Sequence, residues 1–300
     1  MGPAVLFAFV TTLLFAASSV LAAKSQQAVG PARANLGRLG VGLVLLGAWA
    51  YLFGHGHSGP ALPTFLLSGL VGMGLGDIAF FAALPFLGSR LTTTINQCLS
   101  VPVAIGIEWL WLGTELSRAQ FACIGLVLAG IVVALVPTKR SPPRVQVRPI
   151  GVLLGLAAAL GQGVGAVLSR RGFEITTAAG LPADGLTAAY QRVLGGFLIT
   201  VAWFAVKAWL ERDRAPAAPP PLRAHRWIPL HALAGPVLGM GAFQLALATA
   251  PSGLVLPITA CAPLAVIPLA YWIEGERPSK RSVTGGIVAV LGAVGLTMVR

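Results

Sequence analysis

Charge is what this chain has least of. Asp, Glu, Lys and Arg make up 10% of its 300 residues, against 56% hydrophobic ones, and only nine residues are acidic. So little polar surface cannot solvate a globule, and a water-soluble fold is not expected. Cysteine is scarcer still. Cys98, Cys123 and Cys261 lie in apolar segments with no CxxC among them, so they read as small packing residues rather than as a disulfide framework or metal ligands. HExxH, GxSxG, paired-carboxylate and nucleotide-binding motifs are missing, and Gly72-Met-Gly-Leu-Gly has no strand before it. Segments alternating with a period of two are absent as well, which argues against an outer-membrane type of barrel.

What is present is apolar sequence in runs of membrane-spanning length. A helix needs ~20 mostly apolar residues to cross ~30 Å of hydrocarbon. Such runs lie at 4–22, 36–53, 62–81, 91–112 and 119–136, then at 150–168, 186–210, 227–250, 254–273 and 283–299. The expected fold is therefore all-α and integral to a membrane, with ten transmembrane helices. The 37 glycines and 22 prolines are tolerated inside these runs, where small residues permit close packing and neighbouring helices re-satisfy freed backbone groups. Residues 138–149 carry basic side chains among prolines and read as a linker; residues 211–226, rich in Ala and Pro, read as a solvated loop. The first run reads as a span rather than a secretory signal, because no basic residue precedes Leu6.

The two sets of five are related. A shift of 161 brings Pro102 onto Pro263, Glu115 onto Glu276 and Gly125 onto Gly286. Shifts of 163, 154 and 147 pair Gly76 with Gly239, Arg38 with Arg192, and Val20-Leu21 with Val167-Leu168. Offsets that drift in loop-sized steps are what a duplication with insertions in its loops leaves behind. Five is odd, so the second unit must enter the membrane in the opposite sense. Residues 1–137 and 150–300 are thus expected to form two inverted five-helix repeats, with a substrate site near the midplane where they meet.

The segment Leu112-Gly-Thr-Glu-Leu-Ser-Arg-Ala-Gln-Phe-Ala-Cys-Ile-Gly125, followed by Ala129-Gly130, has a partner in Glu274-Gly-Glu-Arg-Pro-Ser279, followed by Gly285-Gly286 and Gly292. Both resemble the helix 4 to helix 5 signature of EamA-type members of the drug/metabolite transporter superfamily. Ala83-Leu-Pro85 with Pro102, and Ala246-Leu247 with Pro263, match as well. The resemblance covers essentially the whole chain in two copies. It implies ten helices around a central cavity, alternating access, and carriage of a small polar metabolite or amphipathic compound. Relatives carry amino acids, nucleotide sugars, purines, vitamins and toxic cations, so it names no substrate.

The net charge is +12, yet the basic residues cluster in short loops, where anionic lipid headgroups of the bilayer are the natural partner; nucleic acid is not expected. Loops after the odd-numbered spans, with the adjoining helix ends at Arg38 and Lys207, hold sixteen of the Lys and Arg residues, and the opposite face holds four. The positive-inside rule then puts both termini outside, whereas the habit of the resembled family puts them inside. A bacterial inner membrane is the expected location.

A polar group inside a span is costly enough to call for a role. Asp77, in the third span, has no cation one helical turn before it. It reads either as a proton- or cation-binding carboxylate in a transport cycle, or as a structural carboxyl kept neutral or paired with Arg192 or Lys24. Asn96 and Gln97 in the fourth span, and Gln162, Tyr190, Gln191 and Gln244 in the second repeat, are candidates to line a cavity, with interhelical hydrogen bonds as the alternative. Arg192 reads either as a clamp for an anionic group or as a side chain snorkelling to the interface. Glu108 reads as an interfacial cap or gate. Pro102 and Pro263 free backbone carbonyls near mid-span and shape the helix there.

The function expected is that of a secondary carrier for a small-molecule substrate, not an enzyme. It needs no cofactor and no metal, works as a monomer or homodimer, and takes any proton coupling from Asp77. A membrane scaffold or sensor accounts for the bundle but not for the buried carboxyl. A membrane-embedded enzyme would have to use His55 and His57, which lack an acidic neighbour and read as a solvated turn.

Overall fold

The computed structural model describes residues 2–135, 148–210, 212, 225–262, 264–265 and 280–299. They form α1 (Pro3–Val29), α2 (Pro31–Leu52), α3 (Leu62–Leu87), α4 (Thr92–Leu112), α5 (Arg118–Leu135), α6 (Pro149–Ala178), α7 (Gly185–Leu210), α8 (Trp227–Thr249), α9 (Ser252–Thr259) and α10 (Lys280–Met298). Among the described residues there is no strand. Seven of these helices are long and apolar enough to cross a membrane; α5 and α10 carry shorter apolar stretches, Arg118–Ala134 and Val283–Leu296, and α9 is the described start of the expected ninth span. Large apolar side chains such as Leu45, Leu110, Leu160, Leu198 and Leu291 stand exposed along the helices, a surface that hydrocarbon covers at little cost. The chain is an integral, multi-pass membrane protein. The linker 138–149 lies outside the described residues apart from Arg148 and Pro149, as do most of 211–226 and all of Pro263, Glu274 and Glu276.

Two helix boundaries differ from those read in the sequence. Only Gly30 separates α1 from α2; its φ of 83° is one that glycine adopts without a Cβ clash, and Pro31 restarts the helix where no N–H is needed. At the other boundary, α6 runs on to Ala178 rather than stopping near residue 168. Arg170 and Arg171 reach Glu174 at 3.7 and 3.0 Å, and these pairs one turn apart support the helix beyond the apolar run.

The chain reverses between α3 and α4, as their packing on α6 shows. Gly151, Gly161 and Gly172 lie against Leu87, Gly76 and Phe65, an antiparallel order, whereas Gly155 and Gly163 lie against Ile95 and Val103, a parallel one. The Gly72/Gly76 and Gly161/Gly165 pairs therefore meet each other, and the backbones of α3 and α6 touch where neither carries a side chain.

The duplication is visible in the packing. Gly72 of α3 sits against Gly165 of α6, and Gly235 of α8 against Ser18 of α1; Met73 of α3 meets Gly196 of α7, and Pro236 of α8 meets Gly42 of α2. These contacts interchange under the offsets of 147, 154 and 163 found in the sequence. Helices α3 and α8 are thus each gripped by the first two helices of the opposite half. Both also contain a π-helical turn, Leu70–Leu75 in one and Leu233–Gly239 in the other. Pro236 in the second has no N–H to donate, which disfavours a regular α-helical ladder there. Counterpart helices run antiparallel where they touch. Gly54 just past α2, and Gly47 and Gly42 within it, meet Thr187, Tyr190 and Val193 of α7, and Gly285 and Gly292 of α10 meet Ala134 and Val127 of α5. The repeats are inverted.

Candidate functional site

Helix α3 passes from its π-helical turn back into α-helix at Gly76, and Asp77 follows. Its carboxylate accepts a hydrogen bond from Nη2 of Arg38 on α2, whose Nε donates to Asn35 Oδ1 at 2.9 Å. The two charged side chains are 11% and 26% exposed, so the pair is largely withdrawn from the surface. Of the two partners read for Asp77 in the sequence, neither is its ion-pair partner. Lys24 lies over the Trp227 ring, 4.6 Å from its centroid, and Arg192 directs its hydrogen bonds elsewhere. Side chains on adjacent helices meet by the register of the packed backbones, which no local pattern in the sequence specifies.

Arg192 does not snorkel. It is 0% exposed and heads the largest fully buried side chains. Two glycines make room for it: a Cβ on Gly72 would lie 2.8 Å from Nη2, and one on Gly165 would lie 3.1 Å away. Nη1 donates to the Gly165 carbonyl at 3.1 Å and to Ser169 Oγ at 2.8 Å. Ser68 Oγ donates to the same carbonyl at 2.6 Å and shares a hydrogen bond with Ser169 Oγ at 2.8 Å. The Phe243 ring lies 5.7 Å from Cζ, within range of a cation–π contact. Among the described residues Nε and Nη2 have no hydrogen-bond partner. Arg38, Asp77 and Arg192 together carry one net positive charge in the packed interior. Arg192 is close enough to Asp77 to interact with it electrostatically.

Two more polar candidates have buried atoms without a partner among the described residues. Gln244 on α8 is 0% exposed with both amide atoms unbonded, and Asn96 on α4 has a buried, unbonded Oδ1. Gln97 and Gln162 are half-buried, and the Gln97 carbonyl accepts from Ser100 Oγ at 3.1 Å. Pro102 is exposed within α4.

Tyr190 and Gln191 serve a different end. Gln191 Nε2 donates to the carbonyls of Gly56 and Ser58 at 2.9 and 3.3 Å, and the Tyr190 hydroxyl lies 3.1 Å from His57 Nε2. Tyr51 bonds the other ring nitrogen of His57. These side chains fasten the loop after α2 onto the first turns of α7. Tyr190 therefore anchors this loop, and His57 sits exposed in its turn, packed edge-on against the Tyr51 and Tyr190 rings. Their positions so near the start of α7 were the available signal.

Glu108 is the residue whose importance the sequence understated. It is 2% exposed and accepts hydrogen bonds from Ser252 N at 3.0 Å, Ser252 Oγ at 2.7 Å and Gly253 N at 3.0 Å. A carboxylate there satisfies orphan N–H groups of α9 and complements the helix dipole. The cap crosses from one repeat to the other. At the same face Arg170 Nη1 donates to the last carbonyls of α8, Leu247 at 3.0 Å and Ala248 at 3.2 Å.

Comparison with known proteins agrees with this architecture. The model of the EamA-like transporter family matches residues 2–136 and again residues 149–298. No curated protein matches the chain. A solved crystal structure is similar in fold, with a TM-score of 0.73 at 21% sequence identity over 98% of this chain and 96% of the other.

Proposed function

The chain belongs to the EamA-like transporter family, a family of membrane transporters, and on that premise we propose that it is a secondary carrier working by alternating access. The observation that carries this reading is the reciprocal grip of the two halves, in which α1 and α2 hold α8 while α6 and α7 hold α3. An inverted pair of halves has two arrangements related by exchange of their conformations, and each opens the interface to a different side. The cargo is a small metabolite or amphipathic compound, bound among Arg192, Gln244 and Asn96, where buried polar atoms lack protein partners. Proton coupling enters through Asp77: protonation removes the charge that Arg38 pairs with and frees α2 from α3. The protein resides in a bacterial inner membrane. Both termini face outward, because the basic residues gather at the other face.

The test compares metabolites inside and outside cells expressing the wild type, Asp77→Asn or neither, at matched membrane levels. A solute that redistributes with wild type alone supports a carrier with Asp77 in its cycle. Equal redistribution by both forms leaves transport standing and reduces Asp77 to a structural group. No redistribution by either removes the carrier reading. A C-terminal reporter active only in the cytoplasm checks the orientation and should be silent.

A further inference from the structure

Arg192 uses only part of its hydrogen-bonding capacity among the described residues. Its Nη1 is committed to Gly165 and Ser169, while the two nitrogens left without partners are Nε and Nη2. Those two form the side edge of the guanidinium, where two N–H bonds point the same way and match the two oxygens of a carboxylate. A fully buried cation that keeps this edge open is an exception to the satisfaction of buried polar groups. Gly72 lies in the π-helical turn beside Nη2, and a side chain there would crowd that nitrogen.

The duplicated scaffold supplies an internal control. The counterpart of the Gly72–Gly165 contact is Gly235–Ser18, where the Ser18 hydroxyl would lie 2.6 Å from a Cβ on Gly235. Arg38, the counterpart of Arg192, is turned to Asp77 instead, and the position matching Asp77 in the second half is Met240. A purely architectural arginine would be expected in both notches. Only one notch keeps two glycines and an arginine with its fork open.

We propose that the open Nε/Nη2 edge of Arg192 binds the carboxylate of the transported solute, so that the carrier takes small organic acids with a single negative charge at that point. This rests on the carrier reading and adds its substrate class. One negative charge neutralises the single net positive charge of Arg38, Asp77 and Arg192, whereas a phosphate dianion overshoots it. Gln244, next in sequence to Phe243 and fully buried with its amide unbonded, offers a neutral donor and acceptor on α8 for the rest of the solute.

The experiment follows thermal unfolding of the purified full-length protein in micelles with benzoate, lactate, benzamide, lactamide and inorganic phosphate. The two acids should raise the midpoint saturably and the amides and phosphate should not. Arg192→Gln should abolish the response, and Arg192→Lys, which keeps charge but not the fork, should weaken it about ten- to a hundredfold. Gly72→Ala provides a second variant that keeps the arginine but pushes a methyl against its Nη2, and it too should lose the response. Equal effects of acids and amides, a response to phosphate alone, no response to either acid, or an undiminished response in Gly72→Ala and Arg192→Lys would overturn the proposal. Flux of the same compounds in proteoliposomes separates the two readings. Carriage of the amides without the acids keeps the carrier and removes the carboxylate site; saturable binding of the acids without flux keeps the site and removes the carrier.

Discussion

Arg38 on α2 donates to the carboxylate of Asp77 on α3, within the same half of the molecule. Arg192, its counterpart in the other half, is buried against Gly72 of that same α3 with two donors open. One carboxylate between two repeat-related arginines makes α3 the helix on which the halves are electrostatically unequal.

Removing the charge of Asp77 leaves Arg38 partly buried and unpaired. Asp77→Asn should lower stability by about 3 kcal/mol at most, since breaking a buried pair from one side is the costly route. Adding Arg38→Gln should recover part of that loss, read as a non-additive shift of the thermal midpoint in micelles. Simple additivity of the two single changes would show that the pair is not coupled.

Glu108→Ala deprives Ser252 N, Ser252 Oγ and Gly253 N of their acceptor at once. The expected cost is about 1–3 kcal/mol, with a smaller cost for Glu108→Gln, whose amide oxygen still accepts. Unfolding midpoints of the two variants should fall in that order.

Gly161→Ala would place a Cβ 2.8 Å from Gly76 Cα and 2.9 Å from the Val71 carbonyl oxygen, both backbone atoms that cannot step aside. It should destabilise by about 1–3 kcal/mol. Gly106→Ala, on α4 with nothing within 4 Å of the added carbon, should instead be neutral or stabilise by about 0.5–1 kcal/mol. Equal effects of the two would mean that α3 and α6 do not touch as described.

Gln191→Ala should release the loop after α2, because it removes donors to Gly56 and Ser58. Amide hydrogen exchange in residues 54–59 should speed up while exchange in α7 stays near its wild-type rate.

Much of the architecture was legible from residue patterns. Apolar runs located the helices, and the offsets that match Gly76 with Gly239 and Val20-Leu21 with Val167-Leu168 anticipated packing that does interchange in the structure, although the matched Arg38 and Arg192 make different contacts. Local patterns could not give the register between helices, and that register decides which charged groups meet. Asp77 therefore found Arg38 rather than Lys24 or Arg192. Nor could they show that Arg192 stays buried, since this depends on Gly72 and Gly165 coming together from different helices. The π-helical turns left only a trace in the sequence, the glycines around Met73 and Pro236 in α8. Tyr190 and Gln191 read as cavity residues or interhelical bonds; their bonds run to the loop after α2 instead, and Gln191 also lines a small cavity beside that loop.

Alternating access itself is tested most directly by side-specific labelling at Gln244→Cys, with Cys98, Cys123 and Cys261 replaced, using a membrane-impermeant maleimide applied separately to each face of oriented vesicles. The account predicts labelling from both faces, and loss of labelling from the Glu108 face alone when cysteines at 108 and 252 are joined by a short thiol crosslinker. Labelling from neither face, or from one face only with or without the crosslink, would contradict it.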